Sequence, residues 1–421
     1  MPQTSKPCLP FEVWALVAGG FAVALGYGVV APAIPQFALE FGVTAFAASA
    51  IVSAFALMRL VSAPFAGWIV GRLGERRTYT IGILIVAVST GVTALAADYA
   101  QFVVLRGVGG IGSAMFTVAA TALLAKVSPP HARGRVASLN AAGFLLGGLL
   151  GPVFGGIVAS FGLRAPFVFY FFTLLIAAAV VGIALRGSQA AGAPKPVAIS
   201  EPAPEPTGVS APTPTHTRNP DPASGMRLAE ALRIPQYRAL LFSMFTFGWA
   251  AFGVRISLVP ILVALAFGGD ATVAAWVLAA YAAGNAALIL PSGRWNDAVG
   301  RKPMLVTGLS VLVVTYAAIP AAPTIWVLAG VMLVAGAGSA LAAPGQQAVL
   351  ADVLAQRRGG QVVAGYSMMS DLGGVLGPLI AGAVVDLAGF DLAFGITAAL
   401  LAAAAIAWTL VPDSRRLHAS G

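Results

Sequence analysis

The sequence predicts an all-α polytopic membrane protein whose twelve transmembrane helices form two six-helix pseudo-repeats around a central cavity. Composition, apolar runs and internal repetition predict this fold class. Of the 421 residues, 59% are hydrophobic and only 9% are charged, whereas about a quarter of a soluble domain is charged. The 49 Gly and 28 Pro suit transmembrane helices, which admit more of both than soluble helices do. The composition therefore excludes a soluble globular protein.

Apolar runs follow one another along the chain, and each is close to the length of about 20 helical residues that crosses a bilayer. The first predicted span begins near position 13 and the last ends near position 411. We place the spans at 13–34, 47–70, 80–97, 102–125, 136–161, 166–185, 239–264, 273–290, 304–321, 325–350, 362–385 and 392–411.

A proline-rich segment separates the sixth and seventh spans. Its middle, APKPVAISEPAPEPTGVSAPTPTHTRNPDP, contains too few apolar residues to fold alone. Before span seven, MRLAEALRIPQYR has apolar residues at helical spacing among three arginines, which predicts a short interfacial helix or, alternatively, a continuation of the linker. The predicted organisation is a cytoplasmic N-terminus (1–12), an N-terminal bundle (13–186), a cytoplasmic linker (187–238), a C-terminal bundle (239–411) and a cytoplasmic tail (412–421).

The net charge of +9 comes from basic residues that are concentrated on one side of the predicted membrane. Most of the 24 Lys and Arg residues lie in the N-terminus, the even-to-odd loops, the linker and the tail. The positive-inside rule therefore places both termini in the cytoplasm, and no nucleic-acid partner is needed to explain the basic charge. The single Cys8 excludes a disulfide framework and a thiolate cluster, and we expect neither a metal nor a cofactor.

One offset of 226 residues relates the two halves at four separated landmarks. It aligns GWIVGRLGERR from Gly67 with GRWNDAVGRK from Gly293, and LLGPVFGG with VLGPLIAG. It also aligns FG at 41 with FG at 267, and GIG at 110 with GAG at 336. Both halves have an even number of spans, so the repeats are parallel and enclose a cavity on an axis along the membrane normal.

The two aligned loops resemble the motif G-x-L-a-D-r-x-G-r-r, which follows helix two in the major facilitator superfamily (MFS), and the resemblance covers nearly the whole chain. It implies the MFS fold and a transporter that works by alternating access. The motif implies a conformational latch, although Gly71 replaces the acid of the first copy and Glu75 is the candidate substitute. The matching latch residues are Gly67, Arg72, Gly74, Arg76 and Arg77, and Gly293, Asp297, Gly300 and Arg301.

Two further elements resemble those of drug:proton antiporters in this family. Span four carries RGVGGIG from Arg106, similar to an R-x-x-x-G element in which the arginine is associated with proton coupling. Span five carries GGLLGPVFGG, similar to a G-x-x-x-G-P-x-x-G-G element, and the alternative is that its glycines serve close helix packing. Its matching residues are Gly147, Gly151, Pro152, Gly155 and Gly156.

Four ionisable residues lie within predicted spans: Arg59, Arg106, Arg255 and Asp371. A charge at the bilayer centre costs roughly 2.5 to 3.5 kcal/mol on insertion scales, so each is a functional candidate. Arg59 precedes Gly71 by 12 residues and Asp371 follows the loop glycine at 359 by 12, which places both about 18 Å from the same membrane face.

Helices two and eleven face each other in the resembling family. We therefore predict an Arg59–Asp371 ion pair that bridges the halves and couples protonation to alternating access. The alternative is a static pair that sets helix register. The predicted proton-coupling residues are Asp371, Arg106 and Arg59.

Arg106 and Arg255 either snorkel to the outer interface or make the outer half of the cavity cationic, which favours anionic substrates. Aromatic residues on the expected cavity helices predict an adaptable apolar binding surface, with packing or interfacial anchoring as the alternative. The predicted substrate-cavity residues are Tyr27, Phe116, Trp249, Phe252 and Arg255.

The sequence therefore predicts a secondary active transporter that exports amphipathic small molecules, such as drugs, in exchange for protons. An alternative is an exporter or proton-coupled importer of a specific anionic metabolite, and a third is a non-transporting receptor or scaffold. No HExxH, Walker or GxSxG motif occurs, so we do not expect an enzyme. The expected partners are a small-molecule substrate, protons and the lipid bilayer, and we expect a monomer in the cell membrane.

Overall fold

The computed structural model describes residues 9–129, 132–185, 226–354, 357 and 359–413. The predicted N-terminal segment up to residue 8, the linker from 186 to 225 and the tail from 414 lie outside these residues. The first half contains α1 Phe11–Val30, α2 Ala33–Leu39, α3 Ala45–Leu73, α4 Glu75–Thr93, α5 Tyr99–Val127, α6 Arg133–Ala159 and α7 Ala165–Ala184. The second contains α8 Leu228–Ala231, α9 Pro235–Phe247, a π-helical segment Gly248–Val254, α10 Arg255–Phe267, α11 Ala271–Ala298, α12 Arg301–Ala318, α13 Ile325–Leu354 and α14 Gly360–Leu410.

These helices correspond to the twelve predicted spans. Among the described residues, nine helices are long and apolar enough to cross a membrane, with α1 and α2 forming one and α9 to α10 another. The 51-residue α14 holds the last two spans, joined at Gly389, whose φ of 84° interrupts the helical conformation. The shorter helices α4 and α12, which each begin with charged residues, supply the third and ninth spans. The predicted fold class is confirmed.

Several predicted boundaries are wrong because an apolar window ends where polar residues begin, although a helix can continue. Span eight was placed at 273–290, but α11 continues through Arg294 and Asn296 to Ala298. Span three was placed at 80–97, but α4 runs from Glu75 to Thr93. The interfacial helix before span seven is only the four residues of α8, because Pro235 already occupies the first turn of α9.

Each half has an apolar core, and Ile256, Ile261 and Ala271 of the second half pack in the core of the first. The halves are joined mainly by three helix pairs, α3 with α14, α6 with α11, and α2 with α10, and also by α3 with α10 and α2 with α11. Val127 and Ala184 lie at one end of the bundle, which we call the linker end because the predicted linker follows α7. Glu40 and Arg164 lie at the opposite end, which we call the far end. There the Arg164 guanidinium lies 5.5 Å from the centroid of the Phe37 ring.

Glycines allow close helix contact at equivalent positions in both halves. A Cβ atom on Gly151 would lie 2.5 Å from the Cα atom of Gly28 in α1, and a Cβ atom on Gly377 would lie 2.8 Å from the carbonyl oxygen of Trp249. The span-five glycines Gly147 and Gly155 also face α1. The glycine alignment therefore predicts a packing interface that the structure contains twice.

Candidate functional site

The α3/α14 interface joins the halves through a series of contacts that starts at the far end. Asp386 of α14 accepts hydrogen bonds from the backbone N–H groups of Ala45 and Phe46, each at 2.9 Å. These are the first two residues of α3, so a carboxylate of one half caps a helix N-terminus of the other. Such charge-assisted hydrogen bonds are stronger than neutral ones, and the helix dipole favours the negative charge.

The contacts continue toward the middle of the bundle. Gly382 packs on Ser49, and the Ser53 hydroxyl donates to the carbonyl oxygen of Val375 at 2.7 Å. One step further, Nη2 of Arg59 donates to Oδ1 of Asp371. The structure thus confirms the predicted pairing of these two residues across the halves, whereas their role in proton coupling stays a prediction.

Beyond this ion pair the halves separate. Counting from Arg59 at four-residue intervals, the same face of α3 continues through Ala63, Gly67 and Gly71, and all three residues are exposed. A Cβ atom on Gly67, Gly71 or Gly360 would have no other atom within 4 Å. The side chains of Arg59 and Asp371 are 39% and 26% exposed, although they lie near mid-height. A cleft therefore opens toward the linker end, with the ion pair where it begins.

Contacts between the other helix pairs also lie toward the far end. Gln36 of α2 donates through Nε2 to the carbonyl oxygen of Pro260 at 3.0 Å and reaches that of Gly269 at 3.5 Å. Gly156 of the span-five motif packs on the indole of Trp276 in α11. The halves are therefore closed at the far end along the three main joining pairs.

Arg106 is buried, with 3% exposure, and so it does not snorkel to the interface. Its guanidinium lies 4.6 Å from the centroid of the Phe55 ring, which also stacks with Tyr27 at 6.2 Å. Within the described part of the chain, its Nε has no hydrogen-bond partner. A buried cation over an aromatic face is stabilised electrostatically, and the orphaned N–H remains a donor for an anionic or carbonyl group.

Arg255 holds a similar position in the second half through a different helix. It directly follows the π-helical segment, its Nε donates to the carbonyl oxygen of Ala251 at 2.9 Å, and its guanidinium lies 4.1 Å from the centroid of the Tyr281 ring. Because the hydrogen bond points back along the chain, toward the linker end, this arginine does not snorkel to the far end. The offset of 226 aligns Phe55 with Tyr281, so both halves place an arginine over the same aromatic position.

The predicted cavity aromatics divide into two groups. Tyr27 is half-buried and Phe252 is 51% exposed. Phe116 instead packs edge-on against Tyr79, with ring centroids 5.1 Å apart, inside the core of the first half. Trp249 is buried in the core of the second half, where its Nε1 donates to the Thr397 hydroxyl at 3.1 Å. The placement of Phe116 and Trp249 in the cavity is therefore corrected, because each satisfies contacts within its own half.

The latch loops tie helix ends together within each half by ion pairs of opposite polarity. Glu75 at the start of α4 pairs with Lys126 of α5 at 2.6 Å, and Arg301 at the start of α12 pairs with Asp352 of α13. The offset of 226 aligns Glu75 with Arg301 and Lys126 with Asp352. Lys126 and Asp352 were not among the predicted latch residues, although the offset of 226 aligns them with each other.

The remaining latch residues follow the same repeat. Arg76 donates through Nη2 to the carbonyl oxygen of Gly182 at 3.0 Å, while the Lys302 ammonium donates to that of Thr409 at 2.8 Å. Arg72 lies 4.0 Å from the centroid of the Trp68 ring. Arg77 is exposed, and a Cβ atom on Gly293 would have no other atom within 4 Å. Gly74 and Gly300 have positive φ angles of 79° and 117°. The side chain of Asp297 lies outside the described part.

Two parallel six-helix repeats, joined at one end and parted at the other around intramembrane charges, are the architecture of a multi-pass membrane transporter. The sequence model of the Major Facilitator Superfamily matches residues 16–258 and 239–420, which is nearly the whole chain. The protein belongs to this superfamily, and its members carry small-molecule substrates.

Similar proteins include two that are named for drug resistance. The chain is 30% identical over 158 residues to the quinolone resistance protein NorA of Staphylococcus aureus, covering 38% of this chain and 41% of that protein. It is 31% identical over 173 residues to multidrug resistance protein 2 of Bacillus subtilis, covering 41% of this chain and 43% of that protein. The matches thus span about two fifths of these relatives' lengths.

A bacterial homologue of the human lysosomal transporter Spinster has a similar structure. Its TM-score is 0.74 at 17% identity, and the match covers 99% of this chain and 98% of that chain. At this identity the likeness supports the fold alone.

Proposed function

We propose that the protein is a secondary active exporter that exchanges an amphipathic small molecule for protons. The observation that carries the proposal is the Arg59–Asp371 pair, which joins the two halves at the boundary between their closed and open parts. If the linker end is cytoplasmic, as the basic loops predict, the described conformation accepts substrate from the cytoplasm.

Protonation of Asp371 removes the negative charge that holds the Arg59 guanidinium. The ion pair lies where the cleft begins, so its loss weakens the junction at the point where the halves must hinge. Proton binding thereby biases the two-state equilibrium of the halves, which is how a local charge change drives a global switch. Arg106 packs beside this junction, because a Cβ atom on Gly110, one turn along α5, would lie 3.1 Å from the backbone nitrogen of Arg59.

The names of the relatives favour a drug as substrate. Both the Staphylococcus aureus and the Bacillus subtilis proteins are named for drug resistance, and exposed Phe252 and half-buried Tyr27 offer the apolar contacts that such molecules need. We place the protein in the plasma membrane as a monomer, with both termini in the cytoplasm.

A specific anionic metabolite is the second candidate substrate. Three arginines but one aspartate occupy the predicted membrane region, and Nε of buried Arg106 has no partner among the described residues. A donor of this kind is satisfied by a carboxylate or phosphate oxygen. The direction of coupling is unchanged in this alternative.

Reconstituted vesicles with an imposed proton gradient test the proposal. We expect gradient-driven movement of a quinolone or a lipophilic cationic dye by the wild-type chain, and at least about tenfold slower movement by Asp371→Asn, equivalent to about 1.4 kcal/mol in the barrier. Asp391→Asn is the matched control, because Asp391 is an exposed acid at the far end of the same helix. Undiminished coupling in Asp371→Asn would remove Asp371 from the mechanism, and preferential transport of an anionic dye would select the second substrate class.

A further inference from the structure

A groove runs between α4 and α7 at the linker end, away from the cleft between the halves. Its volume is about 460 Å3. Its lining residues include Arg76, Thr80, Leu84, Leu175, Ala179 and Gly182. Leu84 is exposed on the helix surface, so the groove opens to the surroundings of the bundle.

The groove is polar at one end and apolar at the other. Arg76 and Thr80 lie near the linker end, and Leu84 follows Arg76 by eight residues, about 12 Å deeper along the helix. Leu175 lines the facing wall. A ligand that fits this arrangement has a polar head at the membrane surface and an apolar chain that extends into the bilayer.

Positive charge surrounds the polar end. Arg76 donates one hydrogen bond, to the carbonyl oxygen of Gly182, and a guanidinium has five N–H donors. Arg72 and Arg77 lie within five residues of Arg76 in the sequence and are exposed, and the acid of this loop, Glu75, is already paired with Lys126. The charge of the groove mouth therefore complements an anionic head group, and a planar guanidinium suits phosphate oxygens.

The second half has a larger side chain at the position equivalent to Gly182. The offset of 226 aligns Gly182 with Trp408, which is 1% exposed, and Ala179 with Ala405. A Cβ atom on Gly182 would meet no other atom within 4 Å. The groove in the first half is therefore open where the second half contains a buried indole.

We propose that this groove is a binding site for an anionic phospholipid. The head-group phosphate binds Arg76, with Thr80 beside it, and one acyl chain lies along Leu84 and Leu175. The site is distinct from the cleft and does not depend on the proposed transport direction. Its ligand class follows from the charge at the mouth and the apolar wall below it.

Native mass spectrometry of the full chain in detergent, titrated with phosphatidylglycerol or phosphatidylcholine, tests the site. We expect tighter retention of phosphatidylglycerol, and about tenfold weaker binding in Arg76→Gln, as the loss of a charge-assisted phosphate contact predicts. Ala179→Ile fills the groove without touching a charge and should weaken binding as well. The matched controls are Lys302→Gln, at the aligned cation of the second half, and Ala403→Ile, on an exposed face of α14.

The outcomes are decisive in either direction. Equal retention of the two lipids, unchanged binding in Ala179→Ile, or equal losses in both control variants would each overturn the proposal. Excess glycerol 3-phosphate, which has the head-group phosphate but no acyl chain, should not displace the lipid. Displacement by this soluble phosphate would show that the apolar wall contributes nothing and would equally overturn it.

Discussion

The two halves share a scaffold but differ in where they place charge. Both use span-five-type glycines to pack one helix on another, and both place an arginine over the aromatic ring at the aligned positions 55 and 281. The loop ion pairs, however, have opposite polarity in the two halves. The backbone arrangement has therefore been kept while the charged chemistry has diverged.

This difference indicates which features depend on geometry and which on chemical identity. A close backbone contact tolerates only glycine, so both copies retain it. An ion pair at a helix end requires opposite signs but not a particular order. Asp371 and Arg59 align with Leu145 and Asn285, so the ion pair across the halves occurs on one side of the pseudo-symmetry only.

Substitutions at the glycine contacts that both halves share should destabilise the protein equally in either half. Gly151→Leu and Gly377→Leu each force a side chain onto a neighbouring backbone, and we expect each to lower the free energy of unfolding by about 3 kcal/mol, near the upper end for overpacking. The measurement is the thermal unfolding midpoint in detergent. Gly148→Leu, where a Cβ atom meets nothing within 4 Å, is the control, and an equal loss there would contradict the packing interpretation.

The loop ion pairs should differ in strength. Asp352 is 8% exposed whereas Lys126 is 40% exposed, so breaking the second pair with Asp352→Asn should cost about 3 kcal/mol, and breaking the first with Lys126→Gln less than about 1 kcal/mol. Exchanging the signs in Glu75→Lys with Lys126→Glu restores opposite charges but places both against the dipoles of α4 and α5, so stability should recover only in part. The corresponding exchange at Arg301 and Asp352 places both charges along the dipoles of α12 and α13, although it removes the hydrogen bond from Arg301 to the carbonyl of Ala348 at 3.1 Å. A larger recovery in the first cycle than in the second would refute the dipole argument.

The cap between the halves at the far end should be sensitive to the charge of Asp386. Asp386→Asn replaces two charge-assisted bonds to the α3 N-terminus, which should shift the equilibrium toward a far-end-open state by about 1 kcal/mol. Spin labels at Ala97 and Ala321, introduced in a chain that lacks Cys8, report the distance between the halves there. Asp391→Asn, five residues further on, should leave the distance distribution unchanged, and a similar shift in both variants would exclude a specific cap.

The smallest effect is expected outside the membrane, where Glu230 of α8 pairs with Arg357 at 2.6 Å. The hydrogen bond from Arg357 lowers the pKa of Glu230 below its ordinary value. Because the folded-state pKa is the lower one, this stabilisation is present above the unfolded pKa and is lost as the pH falls through the folded value. The difference in unfolding midpoint between wild type and Glu230→Gln should therefore shrink from about pH 7 to about pH 3, and a constant difference would exclude the pair as its source.

The sequence was sufficient for the fold and for one contact of the site. Periodic apolar runs and a constant offset predict the twelve spans, and helix rise alone places Arg59 and Asp371 at one height. The side-chain direction of an aromatic residue within an apolar helix was not predictable, because hydrophobic residues occupy both the lipid-facing and the core-facing sides. Phe116 and Trp249 were assigned to the cavity for that reason.

Contacts across the halves were also beyond reach of the sequence. Asp386 reads as an acidic loop residue until the structure places its carboxylate on the first N–H groups of α3. The groove beside Arg76 depends on which faces of α4 and α7 meet. The spacing of residues along one helix predicts their depth in the membrane. It does not predict which residue of a neighbouring helix they contact at that depth.

The Arg59–Asp371 pair lies near the middle of α3, so a rotation of the halves about this pair would move the two ends of α3 in opposite directions. Gly71 lies 12 residues to one side and Ala45 lies 14 to the other, which gives arms of about 18 Å and about 21 Å. A rigid-body rotation of about 15°, a size known from other switching proteins, would swing each arm by about 5 Å in opposite directions. With arms so nearly equal, a single rocking motion would close the linker end by as much as it opens the far end.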